Sequence, residues 1–363
     1  MKKIGAGRFA LVYAGCFLGA GYLSGQELWQ FFGVFGRGGL WGLALCAVLQ
    51  ICFCRVLISL TRRGNIRRID HVAVRRERRR LRALVGGAQM VLLIGVMVIM
   101  SAGVGALTAQ MLGGGKAAAS LLLCAAVALV SLRGVRGLVT VFSCAVPALI
   151  AAAIGMAAWT ALRRQVDWGR ALASAPSVAE NPLLTHWTVA AVLFVSYNLF
   201  GSVAVLLPIA QEVASARSAR RGAVIASCML LPVAAAILYS MLAVPEVTAQ
   251  ELPMLALAQH LHPAAGAGFA VLLVIAMFGT SLSCMVAVQE YLCQQFSACK
   301  RHPLRFAAAL SALIFLAGLF GFGSLIGWIY PLFGYLGIAF LLAMTAHERF
   351  VRRAERQKNK EKL

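Results

Sequence analysis

Acidic residues are scarce in this chain. Its 363 residues carry 12 Asp and Glu against 34 Lys and Arg, and only 13% of positions are charged at all. Long polar stretches are scarce too: Thr61–Arg82, Leu162–His186 and the C-terminal tail are the main ones, which leaves no room for a large soluble domain. The signatures HExxH, GxSxG and GxxxxGK[ST] are absent, which removes the enzyme classes they mark, and no enzyme constellation takes their place. No CxxC pair occurs, and Cys52-Phe-Cys54 is too tight for the usual zinc spacing. The ten cysteines lie mostly in apolar runs and read as small apolar residues. Lys2, Lys3 and Arg8 precede an apolar run as in a signal peptide, but no convincing small-residue cleavage site follows. That run reads as an uncleaved first span.

What the chain has in quantity is hydrophobic residues, 61% of the total, which describes an all-α polytopic membrane protein. Apolar runs broken by Arg, Lys, Gly and Pro give ten segments, roughly 9–34, 39–60, 83–112, 117–132, 138–162, 187–211, 222–244, 266–295, 304–323 and 325–346. A net charge of +22 would suggest nucleic acid as a partner in a soluble protein. Here the cations sit in loops. With the N-terminus inside, the outer loops hold only Arg37, Lys116, Arg163, Arg164 and Arg170, leaving 29 of the 34 on the inner side. The positive-inside rule therefore predicts ten spans with both termini cytoplasmic, and no nucleic-acid partner is called for. The basic loop 61–82 either enforces that topology or lies as a helix on anionic lipid headgroups.

The first segment departs from an ordinary span. Gly15, Gly19, Gly21 and Gly25 fall in eleven residues, followed by Ser24, Gln26 and the carboxylate Glu27. Glycine costs about 1 kcal/mol relative to Ala in a helix interior. A charge near the bilayer centre costs on the order of 2.5–3.5 kcal/mol. The glycines alone, spaced as GxxxG pairs, would also serve close helix packing. Adding Ser24, Gln26 and Glu27 points instead to a discontinuous helix lining a cavity.

Ten spans divide into five and five. Because five is odd, the second half must enter the membrane from the opposite side, giving an inverted repeat if the halves are related. The sixth segment carries Ser196, Tyr197, Asn198, Gly201 and Ser202 in one half and Pro208 in the other. Pro removes a helical hydrogen bond, and Asn and Ser side chains compete for backbone partners. The first and sixth segments are thus both expected to be discontinuous, with a substrate site between them. The corresponding domains are 1–163 (first repeat), 164–186 (outer loop), 187–346 (second repeat) and 347–363 (basic tail). The stretch Val244–Pro263 between the seventh and eighth segments reads as a folded outer loop or lid.

The run Gly19-Ala-Gly-Tyr-Leu-Ser-Gly-Gln-Glu27, followed by Trp29-Gln-Phe-Phe32 and Gly33-x-x-Gly36, resembles the start of YkvI-like bacterial membrane proteins. The Ser196-Tyr-Asn-Leu segment before a Leu-Leu-Pro run resembles their sixth span. That family is similar in turn to the amino acid–polyamine–organocation superfamily, with the LeuT-type five-plus-five fold. The resemblance implies a secondary transporter in the bacterial plasma membrane, working by alternating access on a small organic solute such as an amino acid or amine, coupled to sodium or protons. It places substrate at Gly19, Ala20, Gly21, Tyr22, Ser24, Glu27, Ser196, Tyr197, Asn198, Gly201 and Ser202. In sodium-coupled relatives a Thr-Ser pair in the eighth helix and carbonyls at the first break hold one ion. Thr280 and Ser281 match that pair, with carbonyls of Leu18, Gly21 and Met277 completing the expected sodium site. Two adjacent hydroxyls with upstream carbonyls suit a hard cation, although such side chains also bond back to their own helix. An alternative is a permease-like ligand-sensing subunit, as in spore-germination receptors, that binds without transporting. A structural or lipid-interacting membrane protein is the remaining class.

Overall fold

The first apolar segment folds as three short helices rather than one. In the computed structural model, which describes residues 4–64, 66, 70–74, 78–132, 138–164, 169 and 181–360, α1 spans Ala6–Phe17, α2 Ala20–Leu23 and α3 Gln26–Phe31. Leu18 (ψ 51°) and Gly19 (ψ 173°) leave the helical backbone and make the first break. Gly25 makes the second with φ +83°, a left-handed conformation that costs a residue with a Cβ about 1–2 kcal/mol. A Cβ at Gly25 would also stand 2.7 Å from Met241 Sδ. Gly25→Ala is therefore expected to lower the thermal midpoint of the purified protein. Gly87→Ala, where a Cβ meets nothing within 4 Å, is expected to leave it unchanged or slightly raised. Equal midpoints for the two variants would count against the packing around the break.

The sixth segment differs from expectation. It is one unbroken helix, α9, over Trp187–Glu212; the intervening long elements are α4 (Arg37–Arg63), α6 (Arg79–Leu112), α7 (Lys116–Ser131) and α8 (Leu138–Arg163), with the short α5 (Asp70–Ala73) between α4 and α6. The polar side chains that suggested a break bond one turn back along their own helix. Ser196 Oγ donates to the Val192 carbonyl (2.6 Å), Asn198 Nδ2 to Phe194 (3.0 Å) and Ser202 Oγ to Asn198 (2.6 Å). They add to the ladder instead of competing with it.

The chain continues through α10 (Ala216–Ala243), a 3-10 turn Pro245–Ala249, α11 (Pro253–Leu261), α12 (Pro263–Gln295), the short α13 (Ser297–Arg301), α14 (Pro303–Ala317) and α15 (Phe322–Lys360). Among the described residues, eight helices are long and apolar enough to cross a membrane. The other two elements read as spans are the broken α1–α3 and the 16-residue α7. The stretch Val244–Pro263 is folded: Met254, Leu255 and Leu257 of α11 are buried, and the Met254 amide donates to the Ser24 carbonyl at 2.9 Å. α11 thus lies directly on the turn between α2 and α3.

The packing has a repeating order. α9 packs on α15 as α1 packs on α8; α9 packs on α4 as α1 packs on α10; α10 packs on α8 as α4 packs on α15. α12 packs on α7 as α14 packs on α6, and α12 on α8 as α15 on α6. Each pairing has its counterpart five segments along the chain.

Residues 65, 67–69 and 75–77 of the basic loop 61–82 lie outside the described residues. Of its described cations, Arg62 donates to the Val213 carbonyl (3.3 Å), Arg63 pairs with Glu355 (2.9 Å) and Arg82 lies 2.8 Å from His71 Nε2. The first two contacts tie the loop to the bundle, and the third lies within it. The expected outer loop 164–186 also falls mainly outside the described residues; Asn181, near its end, donates to the Gly327 carbonyl.

Candidate functional site

Glu27 is the centre of the site. Leaving the helix at Gly25 turns α3, so that Glu27, in its first turn, points back toward α2 instead of outward. The residue is 3% exposed. Its carboxylate lies against Gly21, where a Cβ would stand 2.5 Å from Oε2. Only glycine leaves that room. The Tyr197 hydroxyl donates to Glu27 Oε1 from α9, and the Asn198 carboxamide lies beside the same carboxylate. Tyr197 stacks on Tyr330 of α15 with ring centroids 4.5 Å apart and planes 14° from parallel. Phe31 and Phe194 pack on the other sides of Tyr197, at 5.8 and 5.7 Å. Such ring pairs are worth about 0.5–1.5 kcal/mol each beyond burial. The tyrosine that holds Glu27 is thereby held from three directions.

Beside this carboxylate lies a cavity. It is bounded by α1 and its break (Gly15, Cys16, Phe17, Gly19), by Leu92, Leu93, Val96 and Met100 of α6, and by Tyr197, Asn198, Gly201, Ser202 and Val205 of α9. Thr280, Ser283, Cys284 and Ala287 of α12, with Tyr330 of α15, complete the wall. Gln89, fully buried, fastens α6 to α9 beside it by donating to the Phe200 carbonyl at 2.7 Å.

Of the residues expected at a substrate site, the cavity brings together Gly19, Glu27, Tyr197, Asn198, Gly201 and Ser202, with Gly21 behind Glu27. Four others are placed elsewhere. Tyr22 donates its hydroxyl to the Leu230 carbonyl (2.7 Å) and faces a separate small cavity between α4 and α10. Ser24 bonds the Gly21 carbonyl (3.0 Å) and shapes the turn. Ala20 is fully buried and Ser196 is turned toward Gly337, so neither lines the cavity.

The two hydroxyls expected to share a sodium ion line different pockets. Thr280 faces the cavity, but Ser281 lies one residue round the helix and faces a different pocket, among Met97, Cys124, Met285 and Ser311, where its hydroxyl has no partner. Met277 packs on Gly103 of α6, Leu18 is buried outside the cavity wall, and the Gly21 carbonyl already accepts from Ser24. The α12 residues that share a face with Thr280 are Ser283 and Cys284. Ser283 donates to the Thr280 carbonyl at 2.8 Å, and Cys284 presents a thiol, a poor partner for a hard cation. Ser283 and Cys284 share a face with Thr280 because positions i, i+3 and i+4 lie on one side of a helix. That periodicity was enough to find Ser283 and Cys284. Tyr330 carried no comparable signal, because an aromatic in a late span looks like any lipid-facing ring.

No protein-family model matches the chain. It is similar to the uncharacterized membrane protein YkvI of Bacillus subtilis (strain 168), 28% identical over 360 residues that cover 97% of this chain and 99% of that one. Among solved structures it is similar to MhsT in complex with L-phenylalanine (TM-score 0.65, 16% identity, 97% of this chain and 98% of that one). It is also similar to the inward-facing conformation of Mhp1 (TM-score 0.51, 14% identity, 97% and 92%). Both likenesses place this helical membrane chain in the LeuT-type fold.

Proposed function

We propose that the protein is a secondary active transporter that moves a small organic solute by alternating access. The observation that carries this is the cavity at a broken first helix, with the buried carboxylate of Glu27 in its wall. A broken helix and a buried charge are costly in a bilayer and are kept where they line a substrate path. Ten crossings with cytoplasmic termini, arranged as an inverted repeat of 1–163 and 187–346, fit the charge asymmetry and the pairings that recur five segments along. The neighbour solved with L-phenylalanine supports a solute of amino-acid or amine size. The solute contacts would be Gly19, Glu27, Tyr197, Asn198, Gly201 and Ser202. The driving ion is sodium or the proton. The location would be the bacterial plasma membrane, with anionic lipids at the basic face, and no catalytic role is assigned.

Reconstitution tests this reading. Proteoliposomes are loaded and assayed for uptake of radiolabelled amines and amino acids under an imposed sodium or proton gradient. Saturable uptake that collapses with one of the gradients supports transport and names the coupling ion. Saturable binding to the same preparation with no uptake under either gradient replaces it with a sensing role.

A further inference from the structure

We propose that the cavity selects organic amines that lack a carboxylate, with Glu27 as the group that receives the ammonium. This rests on reading the cavity as the solute site. The walls supply the case. Among the described residues, Glu27 is the one carboxylate lining the cavity, and no Lys, Arg or His lines it. The side chain's own hydrogen bonds are few: the Tyr197 hydroxyl, with the Asn198 amide beside it. A carboxylate offers about four acceptor positions, so acceptor capacity is left facing the cavity. A buried charge that is incompletely paired is unstable unless an opposite charge or further donors join it.

An ammonium group supplies both the charge and the donors. The rest of the lining, Leu92, Leu93, Val96 and Met100, suits an apolar skeleton. A second carboxylate on the ligand would enter a site that already holds one and, among the described residues, has no cationic side chain to offset it. The place beside Gly21, at the helix break, is already filled by Glu27 itself. The face of α12 toward the cavity presents the neutral Thr280 and Ser283 hydroxyls and the Cys284 thiol. A zwitterionic amino acid is therefore disfavoured relative to the amine of the same skeleton.

The test is a matched ladder on the purified full-length protein, read by ligand-dependent thermal shift and by equilibrium binding. Each amine is compared with its amino acid and its carboxylic acid: 2-phenylethylamine, phenylalanine and 3-phenylpropionate; isoamylamine, leucine and 4-methylpentanoate. The expected order is amine tightest, amino acid at least about tenfold weaker, acid without effect, with Glu27→Gln weakening the amine by about 30-fold or more, as for a buried charge pair that loses one partner. Amino acids binding as tightly as their amines, or no amine binding at all, would overturn the proposal. Because the readout is binding, amine binding without uptake would sink the transporter reading and keep the ligand class. Uptake of amino acids in preference to amines would do the reverse.

Discussion

Glu27→Gln is expected to leave a protein that inserts and folds, and to cut initial solute uptake by about 30-fold or more, the cost of removing one member of a buried charge pair. Gln keeps the volume that fills the space over Gly21 and keeps an oxygen to accept from Tyr197. What it removes is the charge. Glu27→Ala should behave differently. It strands the Tyr197 hydroxyl in a buried setting, at a cost of about 1–3 kcal/mol, and should lower the thermal midpoint as well as abolish uptake. Uptake in proteoliposomes and tryptophan-fluorescence melting, run on both variants, separate the two effects. If the Gln variant transports at the wild-type rate, Glu27 is a structural plug for the break and not part of the solute path.

The helical segments were legible because hydrophobic length and the placement of Arg and Lys depend on local sequence alone. The break in the first segment was legible for a related reason: four glycines, a serine and a carboxylate in one apolar run conflict with a continuous helix. The same logic misled in the sixth segment. Ser196, Asn198 and Ser202 are equally polar, but each finds a carbonyl one turn back, and sequence alone does not tell a competing side chain from one that joins the ladder. For the adjacent Thr280 and Ser281, the neighbouring helices decide which pocket each hydroxyl meets, and here Ser281 faces Met97, Cys124 and Ser311 instead of the cavity. The partners of Tyr197 were not legible. Its stacking on Tyr330 and its bond to Glu27 join three segments that are far apart in the chain, and only tertiary packing sets them together.

That packing rests on glycine at one interface, where the second large effect is expected. α15 meets α9 through Gly334 and Gly337, three residues apart. A Cβ at Gly334 would stand 2.8 Å from Leu193 Cβ and 3.0 Å from its carbonyl oxygen. One at Gly337 would stand 2.6 Å from both the carbonyl carbon and oxygen of Ser196. The clash at Gly337 is with backbone, which no rotamer change relieves. Small residues let helices approach this closely in a bilayer, where dispersion contacts and close backbone approach replace the hydrophobic drive. Overpacking of such a contact costs about 1–3 kcal/mol for a small addition. Gly337→Ala is therefore expected to lower the thermal midpoint clearly, and Gly337→Leu to yield little folded protein. The damage should reach the site, because Tyr330 sits two turns before Gly337 on α15, and Tyr197 directly follows Ser196 on α9. Prising the helices apart separates the stacked rings, and with them the hydroxyl that holds Glu27. Gly155→Ala, in α8 where a Cβ meets nothing within 4 Å, is the control and should melt and bind as the wild type does. Size-exclusion profiles, melting curves and amine binding on the three variants provide the check. If Gly337→Ala matches the Gly155→Ala control in all three, close contact between α9 and α15 is not what positions the Tyr197–Tyr330 pair.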